Sequence, residues 1–249
     1  MDPRPFIIEV AVRPEALEAD DYVSRLPAVR ALVKEPLKIT SPVTFLVGEN
    51  GSGKSTLLEA TAIAMGFNPE GGSRNFSFST RDTHSGLSQY VRASKSARYP
   101  KDGFFLRAES FYNVATQVDE LDYDGRLTAS YGGKSLHHQS HGESFLALIL
   151  NRFGGDGLYL LDEPEAALSP TRQMSMLSLM HDMVRAGSQF IIATHSPILM
   201  AYPGADIFQL DEKGICRVEY RETEHYRITR RFLESPERML RYLFEEDSE

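Results

Sequence analysis

Gly48 to Thr56 read GENGSGKST and match G-x-x-x-x-G-K-[ST] in full. That spacing suits a phosphate. Glycines let the backbone fold so that successive N–H groups point inward, and a following helix adds the positive end of its dipole. Gly48, Asn50, Gly51, Ser52 and Gly53 would form the cradle, and Lys54 would reach the β- and γ-phosphates. The Ser55 hydroxyl would bind Mg2+, and Thr56, in the first helical turn, would hold the α-phosphate. A glycine-rich turn without a ligand is the bland alternative. The flanks argue against it, because VTFLV (43–47) reads as a buried strand and STLLEATAIAM (55–65) as a helix closing at Gly66.

Two further strand ends carry polar chemistry. In LYLLDEPEAAL (158–168), an apolar run ends at Asp162 and Glu163, the place where open α/β sheets bind ligands. Asp162 fits a Mg2+ ligand, directly or through a water, and Glu163 fits a base that orients and deprotonates an attacking water. A second carboxylate beside the metal ligand favours hydrolysis over phosphoryl transfer to a small molecule. FIIATHSP (190–197) is again a buried strand ending in a polar residue, His195. A lone histidine there is more often structural. On a strand neighbouring that of Glu163, it fits a donor to the γ-phosphate that steadies the water.

The elements that must hold these residues alternate. Strands at 43–47, 158–162, 189–194 and 206–210 are separated by helical patterns, including TRQMSMLSLMHDMVRA (171–186), which places Leu177, Met180 and Val184 on one face. Its four methionines read as core packing. Strand-helix alternation predicts an α/β fold with a mainly parallel sheet covered on both faces. Residues 1–40 and 70–107 break the rhythm, and their β-like pieces FIIEVAV and FFLRAE predict an antiparallel β lobe. Residues 222–249 read as two helices broken at Ser235-Pro236. The expectation is a single domain over 1–249.

Composition is ordinary for a globular protein: 249 residues, 41% hydrophobic, 25% charged, net charge −8. The acidic balance argues against a chain built mainly to coat nucleic acid or anionic membrane. Cys216 is the only cysteine, the start lacks the pattern of a signal peptide, and no apolar run approaches the roughly 20 residues of a membrane span. A cytoplasmic location is expected.

Taken in order, GENGSGKST, QSHGES (139–144) opening a helix, LLDEP and THS resemble the ABC-class ATPases, which include the SMC and RecF-like heads. The pattern is most similar to the compact stand-alone "predicted ATPases" grouped with AAA-type proteins, and the motifs span residues 43–210. The resemblance implies a P-loop NTPase fold, ATP and Mg2+ as ligands, and ATP hydrolysis. It also implies that Gln139–Glu143 stands where the signature loop LSGGQ is found. Ser140 and Gly142 match, whereas Gln139 replaces leucine, His141 a glycine and Glu143 the glutamine. In that family the signature of one protomer caps the γ-phosphate held by the other. Ser140, His141, Gly142 and Glu143 would therefore bind nucleotide in trans, in an ATP-dependent head-to-tail homodimer. A rival reading of the stretch, zinc held by His137, His138 and His141, lacks a nearby cysteine and any local carboxylate but Glu143.

Two positions depart from the family pattern. The glutamine normally presented to the metal is missing after FFLRAES (104–110), where Glu109, Ser110 and Asn113 stand instead, and AALS (166–169) ends in Ser169 where aspartate is usual. What the ATP serves is less defined. Residues 71–107 hold seven Lys or Arg against two Asp, net +5, so the rest of the chain carries −13. Interleaved with Phe76, Phe78, Tyr90 and Tyr99, these cations suit DNA or a partner protein, while the bland reading is a solvated lobe. A nucleotide-gated binding module with little hydrolysis and the ATP-binding subunit of a transporter are the alternative functions.

Overall fold

A computed structural model describes residues 5–16, 22–73, 86–107 and 141–244, with only the helical backbone placed at 141–143. Among these residues the main sheet has seven strands. The central five are parallel, in the order β9 (Asp206–Asp211), β3 (Val43–Val47), β8 (Gln189–Ala193), β7 (Gly157–Asp162) and β6 (Asp102–Arg107). Antiparallel edge strands flank them, β10 (Gly214–Arg217) beside β9 and β4 (Gly72–Ser73) beside β6. A second, three-stranded antiparallel sheet is formed by β2 (Leu37–Lys38), β1 (Ile7–Val12) and β5 (Val91–Lys95).

Every residue of β3, β7 and β8 is buried, as the apolar runs of a sheet covered on both faces require. Successive side chains go to opposite faces. Phe45, Tyr159, Leu161, Phe190 and Ile192 join one core with Phe145, Leu148 and Ile149 of α4 (His141–Arg152) and Met176, Met180 and Met183 of α5 (Pro170–Arg185). Leu46, Leu158, Leu160, Ile191 and Ala193 join the other, with Leu57, Leu58 and Ala60 of α3 (Lys54–Ala64), Ala28 and Val29 of α2 (Pro27–Lys34), which follows the single turn α1 (Tyr22–Arg25), and the inner face of the small sheet. The two sheets are clamped at Gln189. Its side-chain amide accepts from the Ile7 N–H and donates to the Ile7 carbonyl, both at 2.9 Å.

Three of the four methionines of α5 are buried, and Met174 is exposed. Gln173 completes the buried stripe of α5, while Leu177 and Val184 pack at its edge. Ser169, where the family pattern has aspartate, caps this helix by accepting from the Arg172 N–H at 3.4 Å.

One expectation is overturned. The FFLR portion of FFLRAE does not belong to the antiparallel lobe, because β6 pairs parallel with β7 over its full length. It is a main-sheet strand, and Phe104 and Phe105 are both buried because cores cover both of its faces. The C-terminal break falls where expected, with α6 (Glu224–Glu234) ending before Ser235 and α7 (Pro236–Phe244) starting on a proline. Neither helix has a buried residue, and Leu233, Leu243 and Phe244 are about 70% exposed.

Candidate nucleotide site

The candidate residues converge at the carboxyl ends of β3, β8 and β7, which lie side by side. The loop after β3 turns on three glycines with positive φ, Gly48 at 144°, Gly51 at 82° and Gly53 at 94°. At Gly48 the requirement is also spatial, since a Cβ there would lie 2.2 Å from the Leu210 carbonyl oxygen. Ser55 and Thr56 occupy the first turn of α3, the end of a helix that leaves amide N–H groups for a ligand. The Ser52 hydroxyl is buried in the loop with no hydrogen-bond partner among the described residues. An orphaned donor inside a glycine-shaped cradle fits a phosphate, so the site suits the nucleotide that the sequence implies.

Lys54 is buried, and its ammonium donates to the Gly48 carbonyl at 2.8 Å and the Glu49 carbonyl at 2.9 Å. Burial lowers its pKa, against the opposing pull of Glu163, Asp162, Glu165 and Glu49. Those carboxylates partly offset the effect of burial on the amine.

Asp162, the last residue of β7, is buried in register with Ala193 and Arg107. Arg107 in turn pairs at 2.7 Å with the buried Glu59 of α3, which ties the phosphate-loop helix to the strand beyond Asp162. Glu163 is one of two non-glycine residues with positive φ among those described, at φ 47° and ψ 51°. Such a conformation costs on the order of 1–3 kcal/mol and persists only where the surroundings impose it. Here its N–H donates to the Ala193 carbonyl at 2.9 Å, and Pro164 follows directly. The kink leaves the carboxylate 40% exposed, with Oε1 3.3 Å from Nε2 of His195.

The segment after β8 is pinned from several sides. The Thr194 N–H donates to the Leu46 carbonyl at 3.1 Å, and the His195 N–H to the Glu165 carboxylate at 2.5 Å. Ser196 donates to the Gln173 side chain at 2.5 Å and accepts from the N–H groups of Ile198 and Leu199. Burial pushes the Glu165 carboxyl pKa up, opposed chiefly by the His195 N–H. His195 Nδ1 lies 2.9 Å from Nε2 of His225, near the start of α6. Glu165 and His225 were both missed from sequence. Glu165 had a signal, being the second glutamate of DEPE two residues past Glu163. His225 had none, because only the tertiary fold brings the C-terminal segment to this strand end.

The site thus gathers Lys54, Asp162, Glu163 and His195. Ser140 lies outside the described residues, as do Glu109, Ser110, Asn113, His137 and His138. At His141, Gly142 and Glu143 only the helical backbone is placed, so α4 begins within the expected signature stretch. Among the described residues no cluster of His, Cys, Asp and Glu has the form of a dedicated metal site.

The basic segment is partly consumed within the molecule. Arg98 pairs with Asp156 at 3.1 Å and covers the Phe6 ring, Lys101 pairs with Asp156 at 2.7 Å, and Arg107 pairs with Glu59. Arg74, Arg81, Phe76 and Phe78 lie outside the described residues.

Comparison with known proteins agrees with the geometry. Residues 135–201 match a family described as "AAA domain, putative AbiEii toxin, Type IV TA system", and residues 28–127 match a second family described as "AAA domain". The energy-coupling factor transporter ATP-binding protein EcfA2 of Methanospirillum hungatei is 29% identical over 191 residues, 68% of this chain and 46% of that protein. The galactose/methyl galactoside import ATP-binding protein MglA 2 of Photobacterium profundum is 26% identical over 199 residues, 72% of this chain and 39% of that protein. The chain therefore spans less than half the length of either relative. The solved structure of cbiO1 from Clostridium perfringens, part of the ABC transporter complex cbiONQ, superposes with a TM-score of 0.51 at 17% identity, covering 97% of this chain and all of the other. The fold is that of the ABC-class P-loop ATPases, and the sequence is related to theirs and to AAA-domain proteins.

Proposed function

We propose that this protein binds Mg-ATP at the ends of β3, β7 and β8 and hydrolyses it with Glu163 as the base. The observation that carries the reading is the Glu163–His195 pair, 3.3 Å apart beside the loop of Lys54. Loop amides and the first turn of α3 hold the phosphates, and Lys54 exchanges its bonds to Gly48 and Glu49 for phosphate oxygens. Ser55 and Asp162 are the residues that would hold Mg2+, which when bound neutralises charge on the phosphates. Glu163 takes a proton from the attacking water as its oxygen bonds to the γ-phosphorus and the bond to the β-phosphate oxygen breaks. His195 donates from Nε2 to the charge that develops on the γ-phosphoryl oxygens.

The signature residues Ser140 to Glu143 cap the γ-phosphate of a second copy, so that ATP closes a head-to-tail homodimer acting on DNA or a partner protein in the cytoplasm. Solution mass of Glu163→Gln with and without Mg-ATP tests the closure. A doubling on adding nucleotide supports it, and an unchanged mass with ATP bound contradicts it.

A second reading has its own support. Both curated relatives are ATP-binding proteins of importers or transporters. Among the described residues no helix is long and apolar enough to cross a membrane. Copurification with membrane favours that role, and salt-sensitive binding to DNA favours the first. Binding without turnover would leave a nucleotide-gated clamp.

A further inference from the structure

We propose that His225, carried by the C-terminal helix α6, is a positioning residue that fixes the tautomer of His195; this rests on the hydrolytic reading above. A neutral imidazole has one N–H donor and one acceptor, and the partner at one nitrogen decides which atom keeps the proton. Both nitrogens of His195 have a close polar neighbour, although only Nδ1 has one at hydrogen-bonding geometry. Nε2 faces the Glu163 carboxylate oxygen at 3.3 Å, and Nδ1 faces Nε2 of His225 at 2.9 Å.

Those two contacts select one arrangement. A carboxylate oxygen beside Nε2 repels a bare nitrogen lone pair, so a proton belongs on His195 Nε2. His195 Nδ1 is then the acceptor, and His225 must donate from its own Nε2. Burial disfavours charge on His225, as do His195 and Lys54 nearby, so a neutral ring supplies the donor. His225 thereby keeps a proton on the His195 nitrogen that lies beside Glu163.

The supporting frame is built for this contact. Thr223, fully buried, precedes α6 and donates to the Tyr220 carbonyl at 2.8 Å. Tyr220 donates to the Pro197 carbonyl at 3.0 Å, two residues past His195. Its ring packs on Tyr226 of α6 with centroids 4.7 Å apart. The start of α6 is thus anchored to the segment that carries His195, although the rest of the helix is exposed.

The test is nitrogen NMR of the full chain labelled with 15N-histidine, in mildly alkaline buffer, for wild type, His225→Phe and His225→Gln. Phe keeps a ring and removes the donor, whereas Gln places an amide N–H near the position of Nε2. The proposal predicts His195 protonated at Nε2 alone in wild type and His225→Gln, and a mixture in His225→Phe. His195 protonated at Nδ1 in wild type, or an Nε2 tautomer unchanged in His225→Phe, overturns it. The wild-type spectrum decides even if a variant fails to fold or the protein proves not to hydrolyse ATP. Where ATP turnover is measurable, His225→Phe lowers kcat roughly tenfold with KM unchanged, and His225→Gln recovers most of it. An equal loss in both variants would show a packing role only.

Discussion

The phosphate loop and the first C-terminal helix, α6, both reach the same site, yet they are built on opposite principles. The loop is held by a fully buried strand before it, a helix packed into a core after it, and a Gly48 with no room for a side chain. Helices α6 and α7 bury no residue, and α6 delivers one histidine through a short anchored start. Where chemistry depends on backbone amides, the backbone itself must be fixed, and that takes a strand–turn–helix with little tolerance. Where it depends on one ring nitrogen, a local anchor suffices and the rest of the element stays open to solvent.

The contrast breaks first at the loop. Gly48→Ala puts a Cβ against the Leu210 carbonyl, and relief requires moving the strand end or the loop. ATP binding is expected to be lost, with a stability cost of about 1–3 kcal/mol; isothermal titration and thermal melting check both. Normal ATP affinity in this variant would show the loop to be more plastic than its packing implies.

A smaller effect separates the rigid floor from the chemistry upon it. Tyr159, fully buried in β7, donates to the Gly154 carbonyl at 3.1 Å and accepts from the Gly154 N–H at 2.6 Å. Burial raises its pKa, so the hydroxyl stays protonated. Tyr159→Phe should cost about 1 kcal/mol, a fall in Tm of roughly 2–4 °C, with ATP turnover unchanged. A larger loss of turnover than of stability would mean that the floor is not independent of the site.

The smallest effect belongs to the exposed pair. Leu233→Lys and Leu243→Lys, on side chains 72% and 69% exposed, should each shift stability by no more than about 0.5 kcal/mol. Denaturant unfolding measures this, and a cost above about 2 kcal/mol would show that these faces are covered in solution.

The same contrast explains what was legible in the sequence. GENGSGKST, LLDE and the strands around them are local: each motif's neighbours in sequence are also the elements that position it. FFLR was misassigned because a short run with adjoining Phe104 and Phe105 carries no alternation to mark its faces, and only pairing with β7 shows that both are inward. The +5 charge of 71–107 left a DNA or partner surface and a solvated lobe both open, and Asp156 and Glu59, distant in sequence, pair with Arg98, Lys101 and Arg107. The left-handed backbone at Glu163 and the hold of Glu165 on His195 arise from tertiary contacts that no spacing rule encodes. His225 is the extreme case, 30 residues past His195 and joined to it only by the way the chain returns.

Glu163 is proposed to remove a proton from the attacking water while Lys54 and the loop hold the nucleotide. Single-turnover hydrolysis by Glu163→Gln, at ATP concentrations where binding is verified independently, tests it most directly. ATP affinity within about threefold of wild type and hydrolysis slowed by a factor of roughly 10² or more are expected. Hydrolysis at the wild-type rate by a variant that binds normally would contradict it and move the base elsewhere in the site.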